Sequence, residues 1–390
     1  MSHSAANAGN DRGESHEEFT PQTSAWVAAV VAVAATYAFF LLFTQFGFLK
    51  IVRAAVGERA GLTQAILAAM AVGGLGGSAW AGWTFRENRA LHRMVALFAA
   101  CGGGAGLAVV AKAVAPLFGI ALLTGVGLGG LAVTLAGVLR RVTGGDRLGS
   151  AIGLGTGTAY AICNLPIVFA ADASAQAFVA LGLCCIGIIA VQMLDVRAPR
   201  QVPSSYDYQG PALVAWVTIF LGLVWLDSGA FHIVQDSPYL QEQTWGSGQL
   251  YANAAIHFAA AMLAGYMMDR RWVGRAVLAA VAMMLTACVL IDPQGHNLAT
   301  GMLLYTAGVS IYSTALVFYP ARSSRAKWAA VVYGISAGIG SVSGMAMVQN
   351  FSAIPRWLVA IAGTVMLMGL LARGWLLRRE AKRVAAGLAG

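Results

Sequence analysis

Residues 264–275 read Ala-Gly-Tyr-Met-Met-Asp-Arg-Arg-Trp-Val-Gly-Arg, a short loop that sets one carboxylate, Asp269, among Arg270, Arg271 and Arg275 and between two glycines, Gly265 and Gly274. Apolar runs flank it at 248–268 and 273–291. Each run holds about 20 residues, enough to cross ~30 Å of hydrocarbon at ~1.5 Å per residue. Two membrane-length runs joined by a tight charged loop describe adjacent transmembrane helices, because a spanning backbone in lipid must satisfy its own hydrogen bonds.

The same alternation extends over all 390 residues. Twelve spans are predicted, near 24–48, 61–84, 94–112, 116–139, 149–171, 175–194, 211–234, 248–268, 273–291, 297–318, 327–350 and 355–376. Hydrophobic residues make up 58% of the chain and charged ones 11%, against about 25% charged in soluble domains, which excludes a soluble cytosolic enzyme. The net charge of +9 sits in short loops, so it sets topology and does not indicate nucleic acid. With twelve spans, twenty Lys and Arg fall on the side of the two termini and five on the other. The chain is therefore expected to be a multi-pass protein of the cytoplasmic (inner) membrane with both termini cytoplasmic. Residues 1–23 are polar and acidic, without the basic start of a secretory signal, and are expected to form a disordered tail. Five cysteines lie inside apolar runs without C-x-x-C spacing, so no metal site and no disulfide framework is expected.

A polar stretch at 195–210 with two prolines separates the spans into 24–194 and 211–377, leaving a basic tail at 378–390. The halves echo each other. Ala81-Gly82-Trp83 precedes the basic loop of Arg86, Arg89 and Arg93, as Ala264-Gly265-Tyr266 precedes that of Arg270, Arg271 and Arg275. The second loop resembles the G-x-x-x-D-R-x-G-R signature of the major facilitator superfamily (MFS), with one extra residue before Gly274; in the first loop Arg86 stands in the place of the aspartate. The resemblance implies an all-α polytopic fold of twelve helices in two pseudo-symmetric six-helix bundles, working by alternating access. It also implies that Gly265, Asp269, Arg270, Arg271, Gly274 and Arg275 form a cytoplasmic latch. In that latch the arginines hold Asp269, which closes against the start of the fifth span around Arg147 to Ser150.

Ionisable groups inside a span are costly and so are functional candidates. Asp227 in the seventh span and His257 in the eighth lie about 24 Å up from one membrane face and about 14 Å down from the other, at similar depth. They are expected to be able to share a proton. His232, five residues after Asp227, points elsewhere, near the external interface. Tyr37 and Gln45 in the first span and Tyr160 and Asn164 in the fifth are candidate cavity lining, with Pro166 freeing a carbonyl beside Asn164. The external segment 235–247 is acidic and aromatic, suited to an interfacial turn or a lid. Glycine strips such as Gly73-x-x-x-Gly77, Gly125 to Gly130, Gly334-x-x-x-Gly338 and Gly340-x-x-x-Gly344 allow close helix approach.

The expected function is that of a monomeric, cofactor-free secondary transporter of a small-molecule substrate in membrane lipid, coupled to protons. Two alternatives stand beside it: a transport-inactive assembly factor or accessory subunit of a respiratory complex, and a copper importer using some of the fourteen methionines.

Overall fold

The computed structural model describes residues 23–57, 59–111, 113–194, 210–246, 248–291, 297–323 and 325–387. The expected disordered tail up to residue 22 and the linker at 195–209 lie outside the described residues. Twelve helices follow in order: α1 Thr23–Val56, α2 Ala60–Trp83, α3 Ala90–Val110, α4 Val114–Thr143, α5 Leu148–Cys163, α6 Ala173–Gln192, α7 Gly210–Asp236, α8 Leu250–Asp269, α9 Val273–Leu290, α10 Leu298–Ser323, α11 Ala326–Val348 and α12 Arg356–Gly387. Eleven of these are long and apolar enough to cross a membrane. The exception, α5, has 16 residues and is continued after a break by the short helix Pro166–Phe169.

Local chemistry explains the breaks. Pro166 cannot donate to the ladder of α5, so the helix stops at Cys163 and restarts with proline in its first turn. Asn164 seals the end by donating from Nδ2 to the Tyr160 carbonyl at 2.9 Å. Asp172 caps α6 by accepting from Ala175 N at 2.7 Å. Segment 235–247 is no simple turn: Ser237 and Pro238 start a short helix, Pro238–Trp245. α12 runs on to Gly387, through most of the stretch expected to be a separate tail, because Arg, Glu, Ala and Lys there favour helix. Two helices loosen internally into π turns, α1 at Phe40–Gly47 and α11 at Tyr333–Ile339, a geometry often found at functional sites.

Packing repeats under a shift of six helices. In the first half α1 lies on α5 and α6, α2 on α4, and α3 on α4 and α6; in the second, α7 lies on α11 and α12, α8 on α10, and α9 on α10 and α12. Two six-helix bundles result. Of the eleven membrane-length helices, α1, α4, α7 and α10 are the best buried, whereas α12 presents most of its surface outward. Between the bundles α5 meets α8, α2 meets α11, and α10 touches α4 and α5. Gly73 and Gly77 on α2 pack against the α4 backbone at Leu122 and Val126, while Gly125 and Gly129 on α4 fit against Met70 and Gly74. Those strips hold the first bundle together from within.

Candidate functional site

The buried middle of the molecule is organised by α10, whose stretch 305–314 (YTAGVSIYST) carries hydroxyl groups on several faces. Tyr305 Oη donates to Asp227 Oδ1 at 2.6 Å, and Tyr312 Oη donates to Oδ2 at 2.5 Å. The spacing of seven residues puts the two phenols two turns apart on one face, so they grip the carboxylate from α7 between them. On another side of α10, Ser310 Oγ is 2.6 Å from His257 Nδ1, Ser313 Oγ is 2.9 Å from Tyr160 Oη, and Thr314 Oγ1 is 3.0 Å from Thr156 Oγ1. The His257 ring lies flat on Tyr160, centroids 4.3 Å apart and planes within 6°. Tyr160 and Thr156 belong to α5, so these contacts cross from one bundle to the other. Tyr37 on α1 meets Tyr333 in the π turn of α11 through their hydroxyls, a further crossing.

The expected Asp227 and His257 partnership is corrected by this arrangement. Each bonds to a different face of α10, so the two side chains do not bond each other. Asn164, turned back on its own helix, acts as the cap of a broken span. Gln45 enters through its main-chain carbonyl, which accepts from Gln235 Nε2 at 3.4 Å. Tyr305, Ser310, Tyr312 and Ser313 escaped sequence reasoning. Their signal was there, a hydroxyl density unusual for an apolar span, but single Ser, Thr and Tyr residues in a helix more often bond their own backbone.

One end of the molecule is closed by the α8–α9 loop. Asp269 Oδ1 accepts from Gly149 N at 2.6 Å and Oδ2 from Ser150 N at 2.8 Å, and Ser150 Oγ adds a short third bond. The carboxylate of the second bundle thus caps the first turn of α5, whose own N-cap, Arg147, provides no side-chain bond. Gly149 and Gly265 make this possible: a Cβ on either would stand 2.3 Å from the carbonyl oxygen of the other. Gly153 and Gly157 extend the bare strip of α5 along Ala261 and Phe258 of α8. The arginines expected to hold Asp269 do other things. Arg270 stacks on Tyr266 and Arg275 on Trp272; Arg271 takes φ 64° at the turn, and Gly274 makes room for Arg373. Helix amides, already polarised and desolvated, take the guanidinium's place.

The opposite end is bridged differently. Arg53 Nη2 reaches Asp236 Oδ1 at 3.2 Å, and His232 Nε2 lies 3.4 Å from Asp236 Oδ2. Nearby, Phe46 of the first half meets Phe231 and Trp245 of the second edge to face at 5.7 Å and 5.8 Å, and Phe169 lies tilted against Trp245 at 5.9 Å. Of the clustered methionines, Met366 is fully buried while Met368 and Met347 are exposed.

No protein-family profile and no curated protein matches the chain. Solved structures do. The human organic anion transporter MFSD10 (TETRAN) superposes with a TM-score of 0.62 at 12% identity, covering 91% of this chain and 100% of its own. The proton:xylose symporter XylE gives 0.62 at 14%, covering 89% and 94%; the MFS transporter FucP in its outward conformation gives 0.61 at 12%, covering 90% and 99%. Matched over about nine-tenths of its length, the chain has the fold of these major facilitator superfamily transporters.

Proposed function

We propose that this chain is a secondary active transporter that carries a small solute by alternating access between its two bundles, with proton binding at Asp227 setting the conformational balance. The observation that carries the reading is the Asp269 carboxylate of one bundle seated on the α5 N-terminus of the other. Such a joint needs no covalent change to break, and backbone meets backbone along bare glycine faces that can part. Asp227, gripped by two phenols at the meeting of the bundles, is the group whose protonation would reset α7 against α10. His257 holds the Tyr160 ring in place. The latch end, rich in arginine, faces the cytoplasm of the inner membrane, and the monomer is the working unit. The structural neighbours include proteins named for organic anion transport and for proton:xylose symport, which supports transport of small solutes and leaves the cargo to this chain's own chemistry.

The test is uptake into proteoliposomes, with and without an imposed pH gradient, over amines, sugars, organic anions and metal ions. A gradient-driven uptake that Asp227→Asn uncouples is expected. If no solute or proton moves through correctly folded protein, transport falls and an accessory role takes its place.

A further inference from the structure

The charges of the described residues divide sharply between the ends and the middle. Most described lysines and arginines lie in loops or in the outer turns of a helix, and so do Glu87, Asp146, Asp172, Asp236, Glu242 and Asp269, whereas Arg373, Arg378 and Arg379 lie within the long α12. Asp227, nine residues from the nearer end of α7, is the carboxylate of the middle. Both its oxygens accept from phenols, and none of the ion pairs among the described residues involves it. The groups interacting with it electrostatically are Tyr305 and Tyr312 on α10, Tyr160 on α5 and Cys288 on α9, all neutral near pH 7. When Asp227 is ionised, its counter-charge has to come from outside this set of groups, and a proton removes the need for one.

The surroundings narrow the class. Tyr37, Tyr160, Tyr305, Tyr312 and Tyr333 gather around the junction from α1, α5, α10 and α11, offering ring faces and hydroxyls of the kind that attract organic cations. For an anion the junction offers no described lysine or arginine, and its one imidazole, His257, is taken up by Ser310 and the Tyr160 ring. A polyol site calls for free amide donors, yet the Asn164, Gln176, Gln235 and Asn253 amide nitrogens each donate to a backbone carbonyl. We infer that this junction binds a monovalent organic cation, an amine on a hydrophobic body, with Asp227 as its counter-ion, and that this cation and a proton occupy the carboxylate in turn. The inference rests on the transport reading, in which parting bundles open the junction to each side, and it adds the cargo's charge.

Three probes with one skeleton and three charges test it: 2-phenylethylamine, 2-phenylethanol and phenylacetate, titrated by tryptophan fluorescence against the full chain in nanodiscs. The amine should saturate and bind at least ~10-fold more tightly at pH 8 than at pH 5.5, since a proton on Asp227 competes with it. Asp227→Asn should abolish both the affinity and its pH dependence, and Asp227→Glu should keep the pH dependence. Tyr312→Phe, which retains the ring, guards against misfolding and should weaken binding by a few-fold. Equal binding of the alcohol or the acid, no saturable amine binding, or amine binding untouched by Asp227→Asn in monodisperse protein overturns the proposal. Uptake assays separate the two readings. Gradient-driven uptake of phenylacetate with no amine response keeps transport and removes the cation site, whereas amine binding with the expected pH dependence but no flux keeps the site and removes transport.

Discussion

The two loops that occupy equivalent places in the halves, α2–α3 and α8–α9, solve the same packing problem with different electrostatics. In both, a glycine near the end of the helix lets it meet the first turn of a helix in the other bundle: Gly265 against Gly149 of α5, and Gly82 against Ala326 and Ala330 of α11. Only the second loop sends a carboxylate across to the other bundle. Where Asp269 caps α5, the first loop has Arg86, and the α11 N-terminus makes do with Ser323 Oγ accepting from Arg325 N at 3.1 Å. Arg93 bonds the Ala81 and Thr84 carbonyls and stacks on Trp80, staying within its own bundle, and Glu87 pairs with Arg141, likewise within the bundle. Both seams have the close approach, but of the two only the α5–α8 seam adds a side-chain bond between the halves. On the transport reading proposed above, the α5–α8 seam would carry the latch and the α2–α11 seam would act as a bearing.

Changes at the strong seam should have the largest effects. Asp269→Ala removes bonds from a charged acceptor to the α5 amides, each worth about 1.5–3 kcal/mol, and should open the latch end in most molecules, measured as faster labelling of a cysteine at Ser150. Gly149→Ala or Gly265→Ala drives a methyl into a backbone carbonyl that cannot turn away. A loss of about 1–3 kcal/mol is expected, seen in the thermal melt, whereas Gly82→Ala, facing mainly the Ala330 methyl, should cost less. Arg86→Asp tests the comparison from the other side: a carboxylate near the α11 N-terminus should stabilise the closed latch end by about 0.3–1 kcal/mol, slowing the same labelling. Glu87→Gln breaks a half-exposed pair inside one bundle and should change conformational balance by less than about 1 kcal/mol. If Glu87→Gln matched Asp269→Ala, the distinction between latch and bearing would be lost.

How much of this could be read beforehand follows from which interactions leave a trace in a linear pattern. Membrane spans do, because lipid imposes length and apolarity, and the loop at 265–275 does, because a carboxylate among arginines between two apolar runs has few structural uses. The glycine strip Gly149, Gly153, Gly157 did not stand out, being embedded in a chain with 47 glycines; its role shows only when α8 lies across it. The partners of Asp227 were hidden for another reason. Tyr305 and Tyr312 sit 78 and 85 residues away, and a tyrosine in an apolar helix is equally at home in packing or at an interface. Asp227 and His257 were both visible as costly groups, but depth alone could not say that α10 stands between them. The π turns of α1 and α11 left no signal in composition.

The most direct test of the account is a pair of spin-label distances by pulsed electron resonance in lipid nanodiscs, in a background lacking the five native cysteines. One pair, Asn88→Cys with Trp272→Cys, spans the bundles at the latch end, and the other, Arg59→Cys with Gln243→Cys, spans them at the opposite end; all four positions are exposed. Asp269→Asn should lengthen the first distance and shorten the second in the same molecules. Unchanged distributions at both ends, or a lengthening at both, would contradict a latch that works between two rocking bundles.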